Sequence, residues 1–317
     1  MNTIPRLDLS SFVSGNTELK NEFVSQIGTA FEEFGFVCIK NIYIDKNDID
    51  AYYKSIANFF ALPIEAKQKY EIEGLAGQRG YTSFGKEHAK GSDAPDLKEF
   101  WQMGQTVLDL DVIKEEYPNN VMVSEISDFN DLGLKLYRGF EQTGSQILKA
   151  IALYLELEEN YFDTHIHNGN SILRAIYYPP ISQEPKNAIR AEAHEDINLI
   201  TLLVGASAEG LQLLTKENEW IDINAPEDYF VINVGDMLQR LTNNKLKSTT
   251  HRVVNPPKEK WATPRYSIPF FLHPRSEMDL TCLSSCVENN ELHYTPISAG
   301  AYLEERLIEI GLLKNKF

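Results

Sequence analysis

A mainly β fold with flanking helices, built as a sandwich or jelly roll, is predicted by three features of this 317-residue chain. Beyond about residue 170, short apolar runs recur at 171–178, 197–204, 211–214, 220–223, 229–234, 249–254 and 265–272, divided by turn-forming pairs such as Pro179-Pro180, Gly235-Asp236, Asn243-Asn244 and Pro256-Pro257. Upstream of them the apolar spacing is helical. No repeat, low-complexity tract or linker separates the two parts. One compact unit is therefore expected, with a helical and strand region at 1–120 packed on a core at 121–317.

The elements follow in order. Residues 4–9 read as a short strand, and Asn16 or Thr17 can cap a helix whose stripe is Leu19, Phe23, Ile27, Ala30 and Phe34, ending at Gly35. Residues 36–39 return as a buried strand. A second helix spans 46–60, with Ile49, Tyr52, Tyr53, Ile56, Phe59 and Phe60 facing inward, and a third begins at Pro63, where no amide donor is needed. The glycine-rich segment 73–91 fits a loop facing a substrate. It matches neither a dinucleotide fingerprint nor a phosphate loop, because the strand-turn-helix context is missing. Residues 97–106 resume a strand pattern. A scaffold helix is expected over 123–157, weakened by Gly133, Gly139 and Gly144, and an amphipathic helix over 299–313 closes the chain.

Composition narrows the function. With 46 acidic and 30 basic residues, the formal net charge of -16 opposes binding to nucleic acid or an anionic membrane. Cys38, Cys282 and Cys286 are too few and scattered for a disulfide framework, and Cys282-x-x-x-Cys286 lacks a second pair to complete a zinc site. No stretch approaches ~18 uninterrupted apolar residues, so a cytoplasmic location is the expectation.

The chemistry is concentrated in His194-Glu195-Asp196, at the mouth of the apolar run 197–204. In an extended segment residues two apart share a face, so His194 and Asp196 offer an imidazole and a carboxylate together while Glu195 points away. Among the seven histidines, His251 is the strongest third ligand because it opens the run His251-Arg252-Val253-Val254. Two imidazoles and one carboxylate on one face of a metal leave other positions open, as in non-haem Fe(II) oxygenases. Downstream, Arg265 and Ser267 share a face by the same parity. A guanidinium beside a hydroxyl suits a carboxylate ligand.

In this order the motifs resemble the Fe(II) and 2-oxoglutarate-dependent oxygenases of the isopenicillin N synthase-like family, over nearly the whole chain. The matching pieces are Ile4-Pro5-x-Leu7-Asp8-Leu9, Gly35-Phe36, Tyr177-Tyr178-Pro179-Pro180, His194-x-Asp196, Gly210-Leu211-Gln212-Leu213, Asn233-Val234-Gly235-Asp236, Lys247-Ser248-x-x-His251-Arg252-Val253 and Arg265-Tyr266-Ser267 followed by Phe270-Phe271. The resemblance implies a double-stranded β-helix core, Fe(II) on His194, Asp196 and His251, and 2-oxoglutarate on Arg265, Ser267 and Tyr178. It also implies use of O2, release of succinate and CO2, and hydroxylation, desaturation or cyclisation of a small molecule. Glu195 stands where many members carry Thr or Ser, and Ile176 where many plant members carry Asn. The contrasting readings are an iron oxidase that dispenses with 2-oxoglutarate and a jelly-roll binding protein that keeps a metal for structure alone.

The remaining polar residues carry weaker expectations. The substrate is expected to bear a carboxylate or an amine. Arg174 and Arg190 could pair with a substrate carboxylate or form structural ion pairs, and Glu192, which shares the parity of His194, could meet a cationic group. Phe271 is expected to shape the pocket. His165-x-His167 fits a polar loop better than a metal site, and His88, His273 and His293 read as surface or supporting residues.

Overall fold

The computed structural model describes residues 4–75, 77–87, 96–108, 111–185, 188–204, 209–287 and 289–309. The strands are β1 (Arg6–Asp8), β2 (Phe36–Lys40), β3 (Gly80–Thr82), β4 (Glu99–Gly104), β5 (Ile172–Tyr178), β6 (Ala191–His194), β7 (Ile200–Val204), β8 (Leu211–Leu214), β9 (Trp220–Asp222), β10 (Phe230–Val234), β11 (His251–Val253) and β12 (Arg265–Leu272). The helices are α1 (Leu9–Val13), α2 (Thr17–Glu33), α3 (Lys46–Phe60), α4 (Ile64–Gln68), α5 (Phe129–Tyr154), α6 (Asp163–Ile166), α7 (Asp236–Leu241) and α8 (Ala299–Glu309). They form an eight-stranded sheet, ordered β1-β2-β10-β7-β12-β5-β4-β3, and a four-stranded sheet, ordered β6-β11-β8-β9. Among the described residues only β1 and β2 pair in parallel. Two sheets, antiparallel apart from that pair and flanked by helices, make the double-stranded β-helix core. Strands from both ends of the chain interleave in the larger sheet, since β2 pairs with β10 and β4 with β5.

Local chemistry accounts for the helices near the N-terminus. The Asn16 side chain accepts from the amides of Glu18 and Leu19 and starts α2, which buries Phe23, Ile27, Ala30 and Phe31. Gly35 ends it at φ +69°, packed so closely against the Lys247 carbonyl and Thr249 that a Cβ could not fit. Thr249 in turn donates to the Phe34 carbonyl (2.8 Å), tying this turn to the segment that leads into His251. Asp45 caps α3. Phe59 of α3, Trp101 of β4 and Phe129 of α5 pack with ring centroids 5.1–5.3 Å apart.

The scaffold helix α5 runs unbroken through its glycines for 26 residues, over 129–154 where 123–157 was expected. Gly139 lets its backbone approach the Tyr43–Ile44 segment, where an added Cβ would lie 2.6 Å from the Tyr43 carbonyl oxygen. The extended segment expected through 194–196 does not continue into the run 197–204, because β6 belongs to the small sheet and β7 to the large one, and residues 195–199 cross between them. Gly235-Asp236, read as a turn, opens α7, which buries Met237, Leu238 and Leu241. The glycine-rich loop also contributes β3, while His88 and Gly91 lie outside the described residues. Among the described residues no helix is long and apolar enough to cross a membrane.

Candidate metal centre

Where the chain leaves the small sheet, His194 and Asp196 meet His251, the first residue of β11. Cross-strand register sets His251 opposite His194. One ligand atom from each of the three lies within 4.8 Å of the others, and no other such group occurs among the described residues. Nε2 of His194 and Nε2 of His251 are each 3.8 Å from an oxygen of Asp196.

Main-chain carbonyls fix which nitrogen is available. Nδ1 of His194 contacts the Glu192 carbonyl at 2.6 Å and Nδ1 of His251 contacts the Thr249 carbonyl at 3.1 Å. A carbonyl only accepts, so each Nδ1 carries a proton, and Nε2 is the nitrogen left to face a metal. Burial and then the neighbouring His251 pull His194 down to about 4, which keeps it neutral. Oδ2 of Asp196 accepts from Thr201 Oγ1 (2.6 Å) and Asn233 Nδ2 (2.8 Å), leaving Oδ1 for a cation. Burial alone would raise this carboxyl, but His251, His194 and those two donors outweigh it and hold it below its ordinary range. Two imidazole nitrogens and one carboxylate oxygen on a common point are a donor set that suits Fe(II). Thr201 lies on β7 and Asn233 on β10, where their register partners meet across the large sheet. Neither was evident in the sequence, although Asn233 belongs to a motif already noted there.

Arg265, Ser267 and Tyr178 form a second group. All three are buried, Arg265 with 1 % of its surface exposed. Arg265 pairs with Tyr178 across β12 and β5, and its Cζ lies 4.9 Å from the Tyr178 ring. β12 also pairs with β7, setting Phe271 opposite Thr201 and linking this group to the support of Asp196. The donor set, a buried guanidinium with a hydroxyl two residues on, fits a carboxylate such as that of 2-oxoglutarate.

A cavity of about 500 Å³ opens beside His194 and Asp196. Its wall also carries Glu87, Asp96, Lys98, Gln102, Arg174, Phe271 and His273, and α8 contributes Leu303, Arg306 and Leu307. Lys98 binds Glu87 and Asp96, each at 2.7 Å. Arg174 binds Glu87 (3.1 Å) and Gln102 (2.7 Å) and lies over the rings of Phe100 and Phe271. Burial opposes ionisation of Glu87, yet Arg174 and Lys98 bring it down to about 2. Asp96 also accepts from the Glu192 amide (3.1 Å), so the network reaches the residue whose carbonyl orients His194.

Arg174 and Phe271 thus line the cavity, as does His273. Arg190 does not: it lies beside Tyr178. Glu192 is also absent from the wall, and Glu195, expected to face away, is part of it. The pairing of β6 with β11 slips by one residue between Ala191 and His194, which interrupts the parity of Glu192 with His194, and the strand ends at His194, which releases Glu195 from it. His165 and His167 sit at α6, away from the metal group, and His293 is exposed.

Known proteins resemble the chain throughout. Residues 4–125 match the family model described as non-haem dioxygenase in morphine synthesis N-terminal, and residues 169–274 match the 2OG-Fe(II) oxygenase superfamily. A crystal structure of a 2OG-Fe(II) oxygenase family protein from Caulobacter crescentus is 42% identical, covers 98% of this chain and 100% of that one, and superposes with a TM-score of 0.88. A full-length Neurospora crassa protein, solved in complex with alpha-KG and thymine, is 31% identical over 96% of each chain, with a TM-score of 0.85. The 2-oxoglutarate-Fe(II) type oxidoreductase ppzD of Metarhizium rileyi is 30% identical, covering 95% of this chain and 90% of its own. With His194, Asp196 and His251 converging in a double-stranded β-helix, and with relatives of this identity and coverage, this protein belongs to the 2-oxoglutarate and Fe(II)-dependent oxygenases.

Proposed function

We propose that this oxygenase holds Fe(II) on His194, Asp196 and His251, anchors 2-oxoglutarate on Arg265, Ser267 and Tyr178, and oxidises a small molecule bearing an amine. The observation that carries the assignment of the metal is the convergence of three ligand atoms within 4.8 Å, with both Nδ1 atoms occupied by carbonyls. Bound together, Fe(II), 2-oxoglutarate and O2 supply oxidative decarboxylation to succinate and CO2 coupled to oxidation of a substrate C–H bond. The chain's own residues bind and orient. Thr201 and Asn233 hold the Asp196 carboxylate in place, and Arg265 with Ser267 fixes the remote carboxylate of the co-substrate. Arg174 and Phe271 present a polar edge and an aromatic face to whatever fills the cavity.

Charge favours an amine over a carboxylate. Each cation on the cavity wall is already engaged: Lys98 by Glu87 and Asp96, Arg174 by Glu87, and Arg306 by Glu309. Glu195 is exposed beside the metal group, and among the described residues its side chain accepts a single long hydrogen bond, from Thr250 (3.3 Å). It replaces Glu192 as the receptor for a substrate cation. The test is a panel of amines and matched uncharged compounds, including pyrimidine bases, supplied with Fe(II), 2-oxoglutarate and oxygen and followed by succinate release above the substrate-free rate. Wild type should prefer amines, and Glu195→Gln should lose that preference. An unchanged preference in Glu195→Gln, or stimulation by uncharged compounds alone, would contradict the amine assignment.

A further inference from the structure

We infer that Arg190 is a second cation of the 2-oxoglutarate subsite, acting with Arg265 on the carboxylate remote from the metal. This inference rests on the placement of 2-oxoglutarate proposed above. Arg190 immediately precedes β6 and is 2 % exposed. Its Nη2 donates to the Thr263 carbonyl (3.1 Å), and its Nε is buried with no partner among the described residues. Thr263 is two residues before Arg265, so the turn entering β12 carries both the main-chain acceptor of one arginine and the other arginine itself. The two guanidiniums also share one ring: Cζ of Arg190 lies 5.9 Å and Cζ of Arg265 4.9 Å from the centroid of Tyr178.

Two buried cations at one phenol repel each other, and a buried donor without an acceptor carries its full desolvation penalty. Burial and then Arg265 bring Arg190 down to about 10, and no carboxylate is among the described charged groups acting on it. A structural role would be served by a nearby Asp or Glu. What relieves both the repulsion and the unmet donor is an anionic ligand between the guanidiniums, and the carboxylate that 2-oxoglutarate directs away from the metal has the required charge.

The test compares two 2-oxo acids on the full-length, Fe(II)-loaded protein without oxygen. 2-Oxoglutarate and 2-oxovalerate share the chelating end and carbon count, but only the first has a remote carboxylate. Their dissociation constants are read from the visible absorption of the iron chelate. Arg190→Gln should weaken 2-oxoglutarate by about 10–100-fold, as expected for loss of a charge-assisted hydrogen bond, and leave 2-oxovalerate nearly unchanged. If the glutamine variant does not fold, Arg190→Met, an apolar side chain of similar length, carries the same expectation. Equal weakening of both acids would reduce Arg190 to a structural part, and unchanged 2-oxoglutarate affinity would remove it from the subsite. A wild-type protein that binds the two acids equally would instead refute the placement of 2-oxoglutarate itself.

Discussion

Thr201→Val removes one hydroxyl and little else, which makes it a sharp probe of how the metal ligand Asp196 is held. The hydroxyl donates to Asp196 Oδ2 at 2.6 Å and accepts from Asn198 Nδ2 at 2.8 Å. Its bond to an ionised carboxylate is worth about 1.5–3 kcal/mol, while the Asn233 bond to the same oxygen survives. Loss of such an outer partner lowers metal affinity by about 10–100-fold, equivalent to about 1.4–2.7 kcal/mol. The fully buried Asn198 also loses an acceptor, which costs the apo fold about 1–3 kcal/mol. The two effects separate experimentally. Competition with a chromophoric chelator under anaerobic conditions gives the Fe(II) affinity, and urea unfolding of the metal-free protein gives the stability. A folded Thr201→Val protein that binds Fe(II) within twofold of wild type would show that this hydrogen bond does not organise the site.

Two further variants test the scaffold and the cavity wall. Gly139→Ala gains about 1 kcal/mol of helix propensity, but its Cβ would lie 2.6 Å from the Tyr43 carbonyl oxygen, and overpacking costs about 1–3 kcal/mol. A net loss in denaturant midpoint is expected, and equal or greater stability would refute the close approach. Glu87 falls from its ordinary 4.5 to about 2 in the fold because Arg174 and Lys98 outweigh its burial. A depressed carboxyl stabilises fully above its unfolded value and loses that contribution as pH falls through its folded value. Glu87→Gln should therefore be less stable than wild type at pH 7, with the gap closing between about pH 4.5 and 2. A gap independent of pH would remove Glu87 from the ion-pair network.

The sequence was most legible where chemistry is carried by short strings. The bounds of α3, β8 and β12 follow directly from apolar periodicity and flanking turns. The candidate ligands stand out because His-x-Asp and Arg-x-Ser are local patterns in a recurring order. What was not legible depends on contacts distant in sequence. No local pattern shows that β6 slips by one residue against β11 or that residues 195–199 leave one sheet for the other, and without those breaks the parity of Glu192 and Glu195 reads the wrong way round. The Lys98, Glu87 and Arg174 network joins segments separated by as many as 87 positions, and Thr201 becomes a partner of Asp196 only after the chain has turned. α7 was hidden because six residues are too few to establish a helical period beside Gly235-Asp236.

We propose that one site joins iron on His194, Asp196 and His251 to 2-oxoglutarate on Arg265. Anaerobic titration of the Fe(II)-loaded protein with 2-oxoglutarate, followed by visible absorption, tests it most directly. A saturable chelate band is predicted in wild type, with no band in His194→Ala and a need for far more 2-oxoglutarate in Arg265→Gln. A band of wild-type strength and midpoint in either variant, with folding verified, would contradict the assignment.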